Sequence, residues 1–267
     1  MKHTARVWLA QGEPAVVVEV AATQGSVPRE TGTRMLVSAG RTRGTIGGGH
    51  LEQDAIETAR RSLPMGVHDT FEKRYALGPT LGQCCGGVVT LRFSALHDEE
   101  LGRWPEVPPL FHLQLYGAGH VGRAIVRLLA TLPCRVQWID ERENEFPATW
   151  PQGWPSQVER VCVDAVEAEV ASAPPGACYL VLTHRHDLDL RITEAILKRG
   201  DFRYFGLIGS KTKRERFIHR LQAQGIAQAA IDRMTCPIGV PGIAGKAPEV
   251  IAVAVVAQLL QHGAQPG

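Results

Sequence analysis

The sequence predicts an α/β protein in which a C-terminal, Rossmann-like, doubly wound parallel sheet follows a smaller mixed α/β N-terminal domain. After residue 110, apolar strand-like runs alternate with helical stretches, which is the pattern of a parallel sheet. The first run leads into a Gly-x-Gly-x-x-Gly motif at residues 117–122, the fingerprint of a Rossmann turn. We expect domains at 1–98 and 110–267, joined by a proline-bearing linker at 99–109.

The composition is that of an ordinary globular protein, with 267 residues of which 44% are hydrophobic and 21% charged. A net charge of +2 gives no reason to expect nucleic acid or an anionic membrane as the main partner. No run approaches the ~18 apolar residues that a transmembrane helix needs. Residues 1–9 lack the apolar core of a signal peptide. We therefore expect a cytoplasmic protein that keeps its six cysteines as thiols.

In the N-terminal domain, short apolar runs predict four strands, at residues 15–21, 34–38, 70–76 and 87–93. One helix is expected at 51–62, where apolar residues recur at helical spacing. Loops rich in glycine and small polar residues connect these elements. Three of those loops carry the candidate site residues of this domain.

In the C-terminal domain, five strands are expected at residues 111–116, 135–139, 159–163, 178–182 and 204–208. Helices are expected at 120–132, 188–199 and 211–224. The apolar stretch 250–260 is too short to span a membrane and predicts a buried C-terminal helix.

The Rossmann fingerprint predicts a site for a diphosphate. Gly117 permits the tight turn, Gly119 lets the backbone approach the anion, and Gly122 allows close packing of helix on strand. His120 opens the helix at the phosphate approach. Asp140 lies at the end of the next strand, at the spacing expected of an acid that binds a ribose hydroxyl. The alternative is a Rossmann turn without a dinucleotide.

Two further segments follow predicted strands and face the same crevice. Thr183, His184 and His186 could contact the ligand, His184 and His186 could bind a metal, or the segment could be a surface loop; no third metal ligand follows at diagnostic spacing. Ser210 and Lys211 resemble the tail of a P-loop, but the second glycine is misplaced, so we reject an ATPase. This helix start could still hold an anion.

The N-terminal domain carries a second candidate set for phosphate. Gly47, Gly48, Gly49 and His50 open the predicted helix, and Arg29 and Arg34 lie in the preceding loop region. Backbone amides, a helix N-terminus and arginines are the groups that bind phosphates in proteins. The alternative is a simple turn with surface arginines.

The unusual element is Gln83, Cys84 and Cys85 within residues 82–87, Gly-Gln-Cys-Cys-Gly-Gly. Vicinal thiolates point apart and cannot easily share one metal. Flanking glycines leave backbone N–H groups open, which lowers a thiol pKa and suits a soft metal or a sulfur-transfer step. Only one of the two side chains can point into a site, so either Cys84 or Cys85 is the candidate ligand. The alternative is two small residues in a tight turn.

These segments together resemble the XdhC family, the accessory proteins of xanthine dehydrogenase and related molybdenum hydroxylases. The motifs that carry the resemblance span nearly the whole chain in order: residues 25–32, 44–52, 82–87, 117–122, 183–187, 206–211, 236–239 and 248–249.

The resemblance implies a protein that binds the molybdenum cofactor (molybdopterin), protects it during sulfuration and delivers it into the apo-enzyme. The implied partners are xanthine dehydrogenase or a related molybdenum hydroxylase and a cysteine desulfurase. Cys84 or Cys85 would face the molybdenum, and the Rossmann crevice would hold the pterin, a nucleotide or nothing.

Two other functions stay open at this stage. An NAD(P)-dependent oxidoreductase would use the fingerprint domain, with His184 or His186 as its acid or base. A nucleotide-sensing regulatory protein would bind a nucleotide without needing the two cysteines. Because no dedicated catalytic set is present in the sequence, we expect a maturation factor rather than a turnover enzyme. A homodimer is expected, because a second subunit could close a shallow site.

Overall fold

The structure is a computed structural model that describes residues 1–63, 70–78, 86–105, 108–150 and 153–263. It forms two compact units, Met1–Glu106 and Val107–Gly267, each of which is considered by itself.

The first unit is built on a five-stranded antiparallel sheet in the order β3-β2-β1-β5-β4. The strands are β1 Ala15–Gln24, β2 Arg34–Ser38, β3 Thr42–Gly44, β4 Phe71–Ala76 and β5 Val88–Ala95. The four strands predicted for this unit are present, and β3 is an additional strand in a segment that was expected to be a loop.

Both faces of this sheet are covered, which explains the uninterrupted valines of β1. Helix α2, Gly49–Ser62, packs Leu51 and Ala55 with Val16 and Val18 on one face. On the other face Val17 packs with side chains of α1, Lys2–Ala10, and of α3, Asp98–Gly102.

Helices α1 and α3 were not expected from the sequence. Helix α3 falls in the predicted linker, and Leu101 and Trp104 are buried with the core of the first unit. Helix α1 has no side-chain cap at Met1. Burial of Trp8 therefore stabilises α1, and burial of Leu101 and Trp104 stabilises α3. Helix α3 also has a cap, because the His97 ring accepts from the amide of Glu100 at 3.1 Å.

The second unit contains a six-stranded parallel sheet in the order β11-β10-β9-β6-β7-β8. Its strands are β6 His112–Tyr116, β7 Arg135–Asp140, β8 Val158–Cys162, β9 Cys178–Val181, β10 Tyr204–Leu207 and β11 Met234–Thr235. This is the Rossmann strand order, and the direction of winding reverses between β6 and β9. The predicted fold class is confirmed.

Helices cover the two faces of the second sheet unequally. One face packs against α4, His120–Leu129, and α8, Pro248–Gly263. The other packs against α5, His186–Arg199, α6, Lys211–Ala223, and α7, Gln228–Asp232. Between β8 and β9 the crossover is a 3-10 helix of seven residues, Val166–Ser172.

We expect Gly122→Ala to destabilise the second unit by about 3 kcal/mol, as overpacking does where backbone cannot move. A Cβ at Gly122 would lie 2.1 Å from the carbonyl oxygen of Gly117. Gly119→Ala is the matched control, because a Cβ there meets nothing within 4 Å. Urea denaturation followed by tryptophan fluorescence measures both variants. Equal stability of the two would contradict the steric role of Gly122.

Candidate functional sites

The strand order brings together the loops that follow β6, β9 and β10 at the carboxyl ends of these three strands. The amide of Leu182 donates to the carbonyl oxygen of Tyr116 at 2.9 Å, and that of Ile208 donates to Val181 at 2.9 Å. The loops after β6, β9 and β10 therefore border one crevice, where ligands bind in folds of this kind. Gly117, Thr183 and Ser210 lie on these three loops.

The glycine turn after β6 has the sterics that the fingerprint predicts. Gly117 has φ of +122°, and a Cβ on it would lie 2.4 Å from the carbonyl oxygen of Leu182. At Gly122 a Cβ would likewise strike backbone, at the carbonyl oxygen of Gly117. Gly119 faces open space and precedes α4, whose first turn has no side-chain cap. His120 is exposed at the helix start. The turn therefore leaves its backbone accessible at Gly119.

Asp140 lies where the spacing places it, but its carboxylate is engaged within the protein. Its Oδ2 accepts from the amide of Ala118 at 2.7 Å. The guanidinium of Arg142 donates to both oxygens, at 2.9 and 3.0 Å. Burial alone would raise the pKa of Asp140, yet the hydrogen bonds from Arg142 and Ala118 outweigh it and lower the pKa. This differs from the expected ribose contact, because a ribose hydroxyl would have to displace Arg142.

A chain of charges extends from this aspartate along the turn. Arg142 also faces Glu145, at 3.4 Å, and Glu145 accepts from Arg123 at 2.6 Å. Arg123 in turn donates to the carbonyl oxygen of Ala118 at 3.0 Å. The amide and the carbonyl of Ala118 are thus both held, which fixes the shape of the turn.

The segment after β9 is fixed at Thr183 and exposed beyond it. Asp189 accepts from the Thr183 amide at 3.0 Å and from its hydroxyl at 2.7 Å. His184 lies 3.7 Å from Glu141, and His186 is exposed at the start of α5. Across the described residues, no group of three or more His, Cys, Asp or Glu side chains could hold a metal ion. The described residues therefore give no support to a metal site at His184 and His186.

Asp189 and Lys213 form a buried ion pair that the sequence did not reveal. The Lys213 ammonium donates to Asp189 at 2.5 Å and to the carbonyl oxygen of Ile208 at 2.8 Å. Ser210 caps α6 by accepting from the Lys213 amide at 3.2 Å. Lys211 is exposed. The pair therefore connects the loops after β9 and β10, and Lys211 is the lysine of this segment that faces solvent.

In the first unit, the loop after β1 contacts two other motif-bearing loops at one edge of the sheet. The register pairs Gln24 and Ala76 with Val88, so this loop and the connection from β4 to β5 begin side by side. The amide of Gly87 donates to the Ser26 carbonyl at 3.1 Å, which joins the two. The glycine loop begins several residues before the end of β1 and reaches the loop after β1 through Gly47, which lies against Pro28.

The glycine loop turns its amides inward. Glu52, in the first turn of α2, accepts from the amides of Ile46 and Gly48, each at 3.1 Å, and from the hydroxyl of Thr45. The positive φ angles of Gly47, Gly48 and Gly49 make this conformation possible. Of the amides predicted to bind a phosphate, that of Gly48 already donates to Glu52, as does the amide of the neighbouring Ile46. His50 is exposed at the start of α2.

The two predicted arginines differ in their surroundings. Arg34 pairs with Glu19 at 3.1 Å, and its guanidinium stacks 5.1 Å from the ring centroid of Trp104. Arg34 is therefore part of the packing of the unit. Arg29 is exposed. Its neighbour Pro28 packs against Gly47, where an added Cβ would lie 2.4 Å from the proline ring. Arg29 is the arginine of the pair that can meet a ligand.

Gln83, Cys84 and Cys85 lie outside the described residues, so their predicted role stays a prediction. Among the other cysteines, burial raises the pKa of Cys134 to about 11 and that of Cys178 to about 12. Cys236 is also buried. These three remain thiols at neutral pH, which agrees with a packing role.

The fold and its crevice define a class of protein: a small α/β unit with an antiparallel sheet, followed by a Rossmann unit. The family model described as the XdhC Rossmann domain matches residues 113–259, and the model described as the XdhC and CoxI family matches residues 8–72. The chain therefore belongs to the XdhC family.

Two known proteins are similar over most of the chain. The protein YqeB of Escherichia coli strain K12 is 30% identical over 257 residues, covering 94% of this chain and 44% of YqeB. The chain thus spans less than half of that relative. A solved structure from Bacillus halodurans, described as a xanthine dehydrogenase, has a TM-score of 0.71 at 19% identity, covering 97% of this chain and 94% of that chain. At this identity the likeness concerns the fold alone.

No helix in the described part of the chain combines the length and apolar character needed to cross a membrane.

We expect Asp189→Asn to destabilise the protein by about 3 kcal/mol, because the buried Lys213 ammonium loses its counter-charge. Asp187→Asn is the matched control: Asp187 pairs with Arg185 at the surface, where ion pairs contribute little. Urea denaturation of both variants measures the difference. A loss no greater than that of the control would contradict the role assigned to the buried pair.

We expect Asp140→Asn to destabilise the protein in a pH-dependent way. The lowered pKa of Asp140 means that its stabilisation is complete above its unfolded pKa of about 4 and is lost as the pH falls through the folded value. The difference from wild type should be about 2 kcal/mol at pH 7 and should shrink below about pH 4. Denaturation curves across this range test it, and a difference independent of pH would contradict the assignment.

Proposed function

We propose that this protein is an accessory factor that binds the molybdenum cofactor, supports its sulfuration and inserts it into xanthine dehydrogenase or a related molybdenum hydroxylase. Membership of the XdhC family supports a role in maturation of such an enzyme. The observation that carries the proposal is that, at this edge of the first sheet, the loop after β1 contacts both other motif-bearing loops of the unit, at Gly47 through Pro28 and at Gly87 through Ser26.

The chemistry at that edge fits the cofactor in two respects. Arg29 is exposed beside the glycine loop and can pair with a phosphate. Cys84 and Cys85 belong by sequence to the connection from β4 to β5, and thiolates suit a soft metal. When bound, the cofactor would supply a molybdenum centre held by dithiolene sulfurs and a terminal phosphate. In this proposal one cysteine contacts the metal and the other takes part in sulfur handling.

The glycine loop has a supporting role in this proposal. Its Ile46 and Gly48 amides are bound by Glu52, so in this proposal the loop borders the site and those two amides do not bind the phosphate. Close contact of Pro28 with Gly47 fixes the backbone that carries Arg29. The loop that carries Arg29 also contacts Gly87, because the Ser26 carbonyl accepts from the Gly87 amide.

The partners follow from the chemistry of the proposed reaction. A molybdenum hydroxylase would receive the cofactor, and a cysteine desulfurase would supply sulfur. A second copy of the chain would close the shallow site in a homodimer. The alternative of an NAD(P)-dependent oxidoreductase is disfavoured by Asp140, whose two oxygens are already bound by Arg142 and Ala118.

We expect Arg29→Ala to reduce cofactor retention about tenfold, because a charged hydrogen bond to phosphate contributes about 1.5 kcal/mol or more. Arg6→Ala is the matched control, since Arg6 is exposed on α1 of the same unit. The measurement is molybdenum and pterin content per protomer after anaerobic purification. Retention by Arg29→Ala equal to that of the control would remove Arg29 from the site.

We expect Cys84→Ala and Cys85→Ala to differ, since one should abolish retention of molybdenum and the other should reduce sulfuration of the target enzyme. The Cys84→Ala/Cys85→Ala double variant, with folding checked by circular dichroism, should retain no cofactor. If the folded double variant retains cofactor at the wild-type level, the thiols do not bind the metal. In a deletion strain the hydroxylase should assemble without an active molybdenum centre.

A further inference from the structure

A groove of about 480 Å³ lies at the amino-terminal edge of the second sheet, opposite to the Rossmann crevice. Its floor is formed by the first residues of β6, β7 and β8. Pro174 and Ala177, which precede β9, line one side. The volume is in the range of about 300 to 1,000 Å³ typical of small-molecule sites.

The groove exists because the crossover between β8 and β9 is short. Val166 and Val170 of its 3-10 helix cover Tyr116 and Ile139 on this face of the sheet. Two residues earlier along the strands, the 3-10 helix still covers Gln114, whereas Gln137 is half-buried and Glu159 is exposed. Since side chains alternate along a strand, Gln114, Gln137 and Glu159 present themselves there, and the register places them side by side.

These three side chains form a hydrogen-bonded row. Gln114 is buried, with 1% of its surface exposed, and donates to Gln137 at 3.0 Å and to the carbonyl oxygen of Glu169 at 2.7 Å. Gln137 donates to Oε2 of Glu159 at 3.2 Å. Among the described residues no hydrogen bond reaches the Oε1 of Glu159. The row therefore orients a carboxylate with one acceptor oxygen available in the groove.

Two cationic or titratable side chains lie nearer the amino edge. His112 and Arg135 are a register pair on the same face and are exposed. Arg135 reaches the carbonyl oxygen of Ser156 at 3.4 Å, and no carboxylate in the described part of the chain pairs with it. The groove thus has a cationic end at Arg135 and an acceptor end at Glu159.

We infer that this groove binds a small molecule with a phosphate at one end and, at the other, a planar heterocycle that carries adjacent N–H groups. An ionised carboxylate only accepts hydrogen bonds. The free Oε1 of Glu159 can accept from one N–H group, and Oε2, which accepts one bond from Gln137, has a second lone pair for a neighbouring N–H group. A guanidinium matches a phosphate. Arg135 and Glu159 lie on adjacent strands and two residues apart along them, so their Cα atoms are about 8 Å apart. That separation suits a nucleotide better than a free amino acid.

Guanine and pterin share the required N–H edge, and adenine lacks it. The proposal concerns a site in the second unit and does not depend on the loops assigned to the cofactor above. Guanosine monophosphate, adenosine monophosphate and dihydroneopterin monophosphate are the probes, titrated into the full chain by isothermal calorimetry. We expect the guanine or the pterin probe, or both, to bind at least about tenfold more tightly than the adenine probe, about 1.4 kcal/mol.

Variants locate the binding. Glu159→Gln should abolish the preference over adenosine monophosphate, and Arg135→Ala should weaken every probe about tenfold, about 1.4 kcal/mol. Glu215→Gln, an exposed carboxylate on α6, is the matched control and should change neither. Arg29→Ala should also leave this binding intact, so the two proposals can fail separately.

The guanine probe alone or the pterin probe alone would each support the site and assign its ligand. Absence of saturable binding by both would overturn it. Binding that Gly119→Val abolishes and Glu159→Gln leaves unchanged would also overturn it, because the ligand would then occupy the Rossmann crevice.

Discussion

Both units of this protein depend on one constraint: the backbone amides of a glycine turn must find acceptors. A half-buried N–H group without a partner costs free energy comparable to a lost hydrogen bond. In the first unit Glu52 binds the amides of Ile46 and Gly48. In the second unit Asp140 binds the amide of Ala118. In each case a carboxylate from the following helix or the next strand meets the requirement.

This constraint decides which parts of each turn can face a ligand. An amide that is bound to a carboxylate cannot at the same time bind a phosphate, and the bound carboxylate would repel an anion placed beside it. A ligand at either turn would therefore have to contact the parts left open. In the second unit that is the backbone at Gly119, and in the first it is Arg29 beside Pro28.

The sequence predicts well those features that depend on local sterics. Gly117 and Gly122 are in the fingerprint because a Cβ at either position would strike neighbouring backbone. The spacing also places Asp140 correctly at the end of β7. The spacing could not predict the hydrogen-bond partner of Asp140. A carboxylate at that position can bind either a ribose or Arg142, and side-chain geometry decides between them. The longer strands of both sheets were expected from their apolar residues, whereas β3 and β11, of three and two residues, are too short to give such a signal.

Features that depend on distant contacts could not be predicted in this way. Asp189 lies in a helical stretch where a polar residue is ordinary, and its partner Lys213 is 24 residues further along the chain. Helix α1 has no capping signal and is stabilised by burial of Ala5 and Trp8. Glu52 is the last residue of the motif 44–52, yet only the fold shows that its Oε2 binds two of the loop amides.

The short crossover shows how a missing element changes the surface that remains. A full helix between β8 and β9 would require apolar residues along the whole face of β6 to β8, because burial of unpaired polar groups is unfavourable. Here the apolar residues end at Tyr116 and Ile139, and glutamines and a glutamate continue the strands. Gln114 binds the last turn of the 3-10 helix through Glu169 and Ser172, which ends that layer in a defined way. Because the amide row is internally bonded, the sheet can expose this face without leaving the buried amide of Gln114 unpaired. The polar row is therefore both the boundary of the core and the floor of the groove, and substitutions in it should be judged by which of these two roles they disturb.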